Sequence, residues 1–468
     1  MASGRLAQCT ALLRWLEQEG CAHCVRLGET PSAGVGVFAT RDIDKGDVII
    51  SCPVRCVIGA AETRLVDSDK ETVAFSDAMD ALRVREEPND TQTSGSPISD
   101  TTRMQLTLLR ERHLAETTEQ SLGSDYKNEK ECNSASTEPR LSGYWAHYVR
   151  SLPGDELVES LPLDWSEDDL QRRLAGTSLL RETRKDVAFL ERLAKSLDTN
   201  QTQFPPEAFN LARLKWEHAV FWSRAIALPQ AGWGRGGDSS QKKPRKRTAG
   251  DDGALVPLLD MCNHQRNPGT ELRCRGSKWQ LLATKPFKTN EEIRINYGPK
   301  GNGELLRRHG FVIPGNPFDT CPLWVNSGSI DSTPCDSSKR ILLHRGIKEW
   351  GEFPDGLVES FLEERWGTKH DDSTSARASK RVKTSGTRSV ESLSVNQLKQ
   401  IFRDALDCVR RIPSSDDDVN NSETTEQGFE STPGPCADLA AALYRQSQRE
   451  LLWDLKELAE TNRLNSSL

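Results

Sequence analysis

Apolar residues recur at Leu6, Leu12, Leu13 and Leu16, close to helical spacing, until Gly20 ends the pattern. Residues 5–19 therefore read as a helix. Glu17 and Glu19 set it apart from a uniformly apolar secretory leader or an acid-poor transit peptide. Over residues 34–58 the pattern shortens: Val35, Val37 and Phe38, a turn-rich link at 41–47, the run Val48-Ile49-Ile50, and a further β-like stretch after Pro53. That is the signature of short strands without alternating helices.

Residues 85–140 are rich in Ser, Thr, Asp, Glu and Asn and read as a mostly disordered insert with one helix near 104–114. Helical spacing returns at Tyr144-Trp145, stops at Leu152-Pro153, and resumes over 168–196 and 207–225, with Pro205-Pro206-Glu207 as a helix start. A Gly-rich loop at about 230–253 carries Lys242, Lys243, Arg245, Lys246 and Arg247, a solvated loop or a nuclear-import patch. The run at 255–259 reads as a buried strand, and Ile293 and Ile295 alternate toward Tyr297 at a strand end. Beyond Phe311, residues 338–365 and 392–411 read as helices separated by a Ser/Lys/Arg-rich stretch. The acidic residues 414–434 then precede a terminal helix at 437–463, with Leu439, Leu443, Leu451, Leu452, Leu455 and Leu458 as its apolar positions.

Composition narrows the possible functions. A net charge of −7 argues against nucleic acid as a principal partner. No apolar run approaches the roughly 18 residues of a membrane span, so a soluble protein is expected. Twelve cysteines without a framework fit a reducing compartment. Cys21-Ala22-His23-Cys24 has no second pair at zinc spacing, which favours free thiols over a metal site.

Two stretches carry the candidate chemistry. One is Asp260-Met261-Cys262-Asn263-His264, directly after the apolar run, and the other is Ile293-Arg294-Ile295-Asn296-Tyr297-Gly298. Alone, Asn-His reads as loop capping and Tyr297 as packing. No further His, Asp or Cys stands at ligand spacing, so no metal is expected.

The order of motifs resembles a family. It runs from a glycine loop at Ala33-Gly34-Val35-Gly36-Val37 through Ser223-Arg224, Asp260-x-x-Asn263-His264 and Tyr297-Gly298 to Asn302-x-Glu304-Leu305 and Gly310-Phe311. This looks like the SET family typified by the Rubisco large-subunit methyltransferase, in the branch of the actin-histidine methyltransferase. Tyr144-Trp145-x-x-Tyr148, Leu163-x-Trp165 and Leu174-Ala175-Gly176-Thr177 resemble that family's helical insert.

The resemblance implies an α+β fold. Residues 1–318 would form a SET-domain β-fold of short strands with a pseudoknot-like core and a helical insert at about 141–228. Residues 319–468 would form an all-α substrate-binding domain. It implies S-adenosyl-L-methionine as cofactor, held by Gly34, Val35, Gly36, Arg224, Asp260, Met261, Cys262, Asn263, His264, His309 and Phe311, with Tyr297 catalytic. A substrate channel would involve Ile226, Tyr297 and His309. Where the actin-histidine branch has an Asn, this chain has Ile226, which suits an alkyl amine better than an imidazole needing a hydrogen bond. His309 stands where many lysine-specific relatives have Tyr.

The expected activity is therefore lysine N-methylation of a non-histone protein. Histidine N-methylation is the alternative, followed by a non-catalytic interaction protein. A monomer in the cytoplasm or nucleus is expected, with a chloroplast address left open, and neither nucleic acid nor membrane as partner.

Overall fold

The computed structural model describes residues 2–30, 34–59, 70–84, 95–125, 143–227, 253–326, 329–331, 339–344, 412 and 437–465. In chain order, helix α1 (Ala2–Gln18) leads into strands β1 (Ala22–His23), β2 (Val25–Thr30), β3 (Gly34–Ala39) and β4 (Val48–Pro53). Helix α2 (Lys70–Ala81), the short strands β5 (Arg83–Val84) and β6 (Ser96–Pro97), and helix α3 (Asp100–Asp125) follow. Next come α4 (Ala146–Ser151), α5 (Glu156–Glu159), α6 (Glu167–Leu174), α7 (Ser178–Leu197) and α8 (Leu211–Arg224). Strands β7 (Ile226–Ala227), β8 (Gly253–Ala254), β9 (Thr270–Arg275), β10 (Lys278–Ala283) and β11 (Glu292–Ile293) complete the first part. Helix α9 (Asn302–His309), strands β12 (Thr320–Asn326), β13 (Ser329–Asp331) and β14 (Lys339–His344), and helix α10 (Ala437–Asn465) close the chain. No helix among the described residues is long and apolar enough to cross a membrane.

The described residues divide into two compact units. The first holds the chain up to Asp164 together with Lys185–Gly298, and the second holds Trp165–Arg184 with the residues from Pro299 onward. The division falls at Gly298, earlier than the boundary expected at 318, and it assigns the first part of α7 to the second unit.

In the first unit, a four-stranded antiparallel sheet runs β1-β4-β10-β9, and a three-stranded one runs β11-β3-β2. Their inward faces bury Ile49, Ile50, Trp279 and Leu281 from one sheet and Val37 and Ile293 from the other. The helices add Leu12, Leu16, Trp145, Tyr148, Leu214 and Phe221 to the same core. Indole N–H groups buried with them find carbonyls: Trp145 Nε1 donates to Cys56 O and Trp216 Nε1 to Pro153 O, each at 2.9 Å.

The knot-like core comes from one segment used twice. Ile293 pairs with Val37 of β3, and two residues later Ile295 bridges to His264 in the parallel sense. Ile295 N–H donates to Asn263 O at 3.0 Å, and Gln265 N–H to Ile295 O at 2.9 Å.

Several sequence-based expectations need correction. Residues 255–259 are not a strand: only Leu255 bridges, to Ile58, and the chain then bends at Leu258, whose φ is +74°. A left-handed leucine costs about 1–2 kcal/mol, sustained here by full burial of its side chain. A single 3-10 turn, Leu259–Met261, follows.

The helix expected near 104–114 is present and longer, spanning Asp100–Asp125 (α3) within a segment expected to be mostly disordered. Its Met104, Leu106, Leu108 and Leu109 are buried against α4 and α8, together with the polar Thr102, Gln105 and Glu111. Glu111 accepts from Trp145 N–H at 2.9 Å, and Glu116 grips Arg213 of α8 through two bonds of 2.8 Å. A helix buried nearly all round lacks the one-sided apolar stripe by which composition reveals a helix. Helix α8 starts later than Pro205 suggested, because the Asn210 side chain caps it by accepting from Arg213 N–H at 3.1 Å.

The second unit is not all-α. Strands β13-β12-β14 form an antiparallel sheet, and residues 339–344, expected as the start of a helix, pair with β12 from Thr320↔His344 to Val325↔Lys339. A short apolar run such as Ile341-Leu342-Leu343 suits either element, and the pairing decides. The unit's core joins Trp165, Leu170, Leu174, Leu179, Leu306, Val312 and Tyr444. The expected helix at 392–411 and the basic residues 242–247 lie outside the described residues.

Candidate active site

Helix α8 ends at Arg224, where a cation complements the helix's C-terminal partial charge. Arg224 Nη1 donates to Asp260 O at 3.1 Å and lies 3.6 Å from Asp260 Oδ2. From α4, Tyr148 donates its hydroxyl to the same Oδ2 at 2.5 Å. Burial pushes the Asp260 carboxyl above the usual range, while Arg224 and Tyr148 pull it back. Asp260 thus anchors Arg224 through both backbone and side chain. Arg224 Nε is buried and unpaired.

A second arginine faces the same place. Arg5 on α1 has its guanidinium pKa lowered by burial and then by the nearby Arg224. Its Nε is also buried without a partner, and its closest acid, Glu156, is 3.9 Å away. A Cβ placed on Gly34 would stand 3.8 Å from Arg5 Nη1, so β3 begins beside this guanidinium. Two cations with spare donors next to open glycine backbone form a receptor for a carboxylate-sized anion.

Gly36 lies against a polar pair. Asn263 Nδ2 donates to Glu292 Oε1 at 2.7 Å, and Glu292 Oε2 accepts from Arg294 Nε at 2.9 Å and Nη2 at 2.7 Å. A Cβ at Gly36 would stand 2.6 Å from Thr30 Cγ2, 2.9 Å from Glu292 Oε1 and 3.2 Å from Asn263 Nδ2. Only glycine lets β3 approach this closely. Val35 between the two glycines is half-buried and pairs with Glu29 of β2.

Tyr297 is held at both ends. Its N–H donates to His264 Nδ1 at 3.2 Å and its hydroxyl to Cys262 O at 3.1 Å, with the two rings 5.1 Å apart. An accepting Nδ1 is unprotonated, and burial lowers the His264 pKa, so the imidazole is neutral. Burial holds the Tyr297 phenol well above its ordinary pKa, with Arg224 opposing, so the hydroxyl is a donor and not a base.

The remaining expected residues divide. Met261 and Cys262 bury their side chains in the core, leaving only their backbone for a ligand. Ile226, half-buried on β7 opposite Ala254, follows Arg224 by two residues. His309 and Phe311 lie in the second unit, flanking the left-handed Gly310 that caps α9, with rings 5.9 Å apart. Arg5, Tyr148 and Glu292 were not singled out from the sequence as site residues. Arg5 had a readable signal, since it stands at i, i+4, i+7 and i+11 with Cys9, Leu12 and Leu16, a charge on an otherwise apolar stripe.

A crossed strand pair, a buried Arg–Asp anchor and a tyrosine two residues past the bridge at Ile295, beyond the end of β11 at Ile293, define a SET-type centre. The SET domain profile matches residues 34–298, more than half the chain, and the chain belongs to the SET-domain family. Among its relatives, the N-lysine methyltransferase SETD6 of Homo sapiens is 24% identical over 241 residues, 48% of this chain and 49% of that protein. The actin-histidine N-methyltransferase of Danio rerio is 25% identical over 186 residues, 38% of this chain and 28% of that protein. The ribosomal lysine N-methyltransferase set10 of Schizosaccharomyces pombe is 40% identical over 189 residues, 40% of this chain and 31% of that protein. The matches thus span half or less of these relatives' length. Among solved structures, Rubisco LSMT bound to AdoMet superimposes with a TM-score of 0.61 at 17% identity, covering 98% of this chain and 92% of that one. At that identity the likeness is one of fold.

Proposed function

We propose that the chain is an S-adenosyl-L-methionine-dependent protein N-methyltransferase acting on a lysine side chain of a non-histone protein. The observation that carries the reading is the pair Arg5 and Arg224, each with an unpaired buried Nε, beside the start of β3. The cofactor's methionyl carboxylate matches these donors, and its adenosyl part suits the backbone of Gly34, Val35 and Gly36 and of Asp260 through His264. When bound, it supplies an electrophilic methyl group on a sulfonium. In this scheme Tyr297 orients the acceptor through its hydroxyl.

A lysine acceptor must lose its proton before it can attack. An apolar wall at Ile226 and exclusion of water disfavour the ammonium form, which lowers its pKa and releases the proton to solvent. Catalysis then rests on alignment, and no side-chain base is required. Ile226 offers an imidazole no hydrogen bond, which favours lysine over histidine as acceptor. The named activities of the relatives include both side chains. The sequence after residue 298 has no cysteine-rich segment of the kind that follows many histone-methylating SET domains, which fits a non-histone substrate.

Incubating the full chain with a proteome and methyl-tritiated cofactor, then identifying the labelled amino acid after hydrolysis, tests the reading. Methyl-lysine is expected. Methyl-histidine overturns the acceptor, and no cofactor binding by calorimetry overturns the enzyme.

A further inference from the structure

Three thiols that play no part in the site above come together in the first unit. Strand β1 pairs with β4 through Ala22↔Ser51 and His23↔Ile50, and Cys24 N–H donates to Ile49 O at 3.0 Å. The register therefore sets Cys21 opposite Cys52. The Cys24–Ile49 bond makes that pair a hydrogen-bonded one, and alternation makes Cys21–Cys52 a non-hydrogen-bonded pair. Such pairs bring Cα atoms to about 4.5 Å with side chains facing each other, inside the window of about 4.4–6.8 Å that a disulfide needs.

The third thiol comes from the turn after β4. The Cys52 thiol donates to Pro53 O at 3.6 Å and lies beside the thiols of Cys21 and Cys56. Cys52 and Cys56 are fully buried and Cys21 nearly so. Cys56 in turn lies within reach of the Tyr144 hydroxyl, which donates to Glu19 Oε2 at 2.8 Å; Arg55 Nε donates to that same oxygen at 2.7 Å. This chain leads from the buried thiols to the exposed Arg55. The neighbouring Cys52 lowers the Cys56 pKa and Tyr144 assists against burial, whereas Cys21 and Cys56 raise the Cys52 pKa. Among the described residues no group of three or more His, Cys, Asp or Glu could hold a metal ion.

We propose that Cys21, Cys52 and Cys56 form a thiol–disulfide site, which hydrogen peroxide converts to a disulfide joining Cys21 to Cys52 across β1 and β4. The Cys56 thiolate attacks one peroxide oxygen, the O–O bond breaks, and the departing hydroxide leaves as water with the proton shed by Cys56. The Cys52 sulfur attacks the resulting sulfenic acid as it gives up its proton, and the displaced hydroxide leaves with that proton as a second water. The Cys21 thiolate then displaces Cys56 from the Cys52 sulfur, and Cys56 regains a proton, the one lost by Cys21. Two thiols are oxidised and one peroxide is reduced to two waters.

Peroxide treatment of the full chain, alkylation in denaturant and tryptic mass spectrometry test this. Cleavage after Arg26 and Arg55 puts Cys21, Cys52 and Cys56 in three different peptides, and fragmentation separates Cys21 from Cys24. The expected product links the Cys21 and Cys52 peptides, is reversed by dithiothreitol, and leaves Cys262 and Cys321 alkylated. A Cys56→Ser variant is expected to form the same link about tenfold more slowly. Equal alkylation of Cys21 and Cys52 with and without peroxide, or their linkage to other cysteines, overturns the site. Wild-type speed in the variant overturns the role of Cys56.

Discussion

The backbone N–H of Tyr297 donates to Nδ1 of His264 at 3.2 Å, so the tyrosine and the asparagine-histidine segment form one rigid piece. The Tyr297 hydroxyl returns to the same segment at Cys262 O, 3.1 Å away. A phenol fixed at both ends has its direction set before any ligand arrives, which is what catalysis by alignment requires.

Replacing Tyr297 by Phe keeps the ring and removes only the oxygen. We expect cofactor affinity, read by calorimetry, to stay within about twofold and methyl transfer to fall about a hundredfold. Because burial holds the phenol above its ordinary pKa, ionisation of Tyr297 should add no alkaline limb to the wild-type rate profile below about pH 10. Wild-type turnover in the variant would remove Tyr297 from the mechanism.

Arg224 and Arg5 should separate in strength. Arg224→Ala removes the better-anchored guanidinium and should weaken cofactor binding about ten- to a hundredfold by calorimetry. It also leaves the buried Asp260 carboxyl without its cation, so the melting temperature should fall with it. Arg5→Ala, whose carboxylate neighbour Glu156 is 3.9 Å away, should weaken binding less and change the melting temperature little. Unchanged affinity in both variants would place the carboxylate elsewhere.

The site was legible in the sequence as residues and not as contacts. Asp260 through His264 and Tyr297 stood out by type and order, but the bridge from His264 to Ile295 that joins them is a long-range pairing with no local periodicity. The run before Asp260 was misread because its apolar residues suit a strand, whereas Pro257 and the left-handed Leu258 turn it into a bend. Helix α3 was legible only in its middle, near 104–114: its buried Thr102, Gln105 and Glu111 are polar, and tertiary packing extends the helix beyond that stretch. Arg5 was the recoverable miss, a charge set on the apolar face of α1.

Gly36 can be tested by a single methyl group. Alanine there must displace Thr30, Glu292 or Asn263 from contacts of 2.6, 2.9 and 3.2 Å. Gly36→Ala should cost about 1–3 kcal/mol, seen as a lower urea midpoint. Cofactor binding should weaken as well, because the Asn263–Glu292 bond lies beside β3. An unchanged midpoint would mean that the strand shifts freely, and the close approach would then not be needed.

Glu217 on α8 shows what burial costs away from the site. It is fully buried, and among the described residues neither carboxylate oxygen has a well-formed hydrogen bond. Burial raises its pKa well above the carboxylate range, and the Gln105 amide of α3 pulls it only part of the way back. The folded chain therefore keeps a proton that the unfolded chain releases at about pH 4.3. Between those two pKa values the native state binds more protons, so stability is complete below about pH 4.3 and is lost as the pH rises. Glu217→Gln keeps the shape, adds donors toward Gln105 and removes the titration. Its melting temperature should exceed that of the wild type near neutral pH, with the gap closing toward about pH 4, where Glu217 is protonated in both states. A gap of the same size across that range would show that α8 carries Glu217 without the energetic consequence of its protonation.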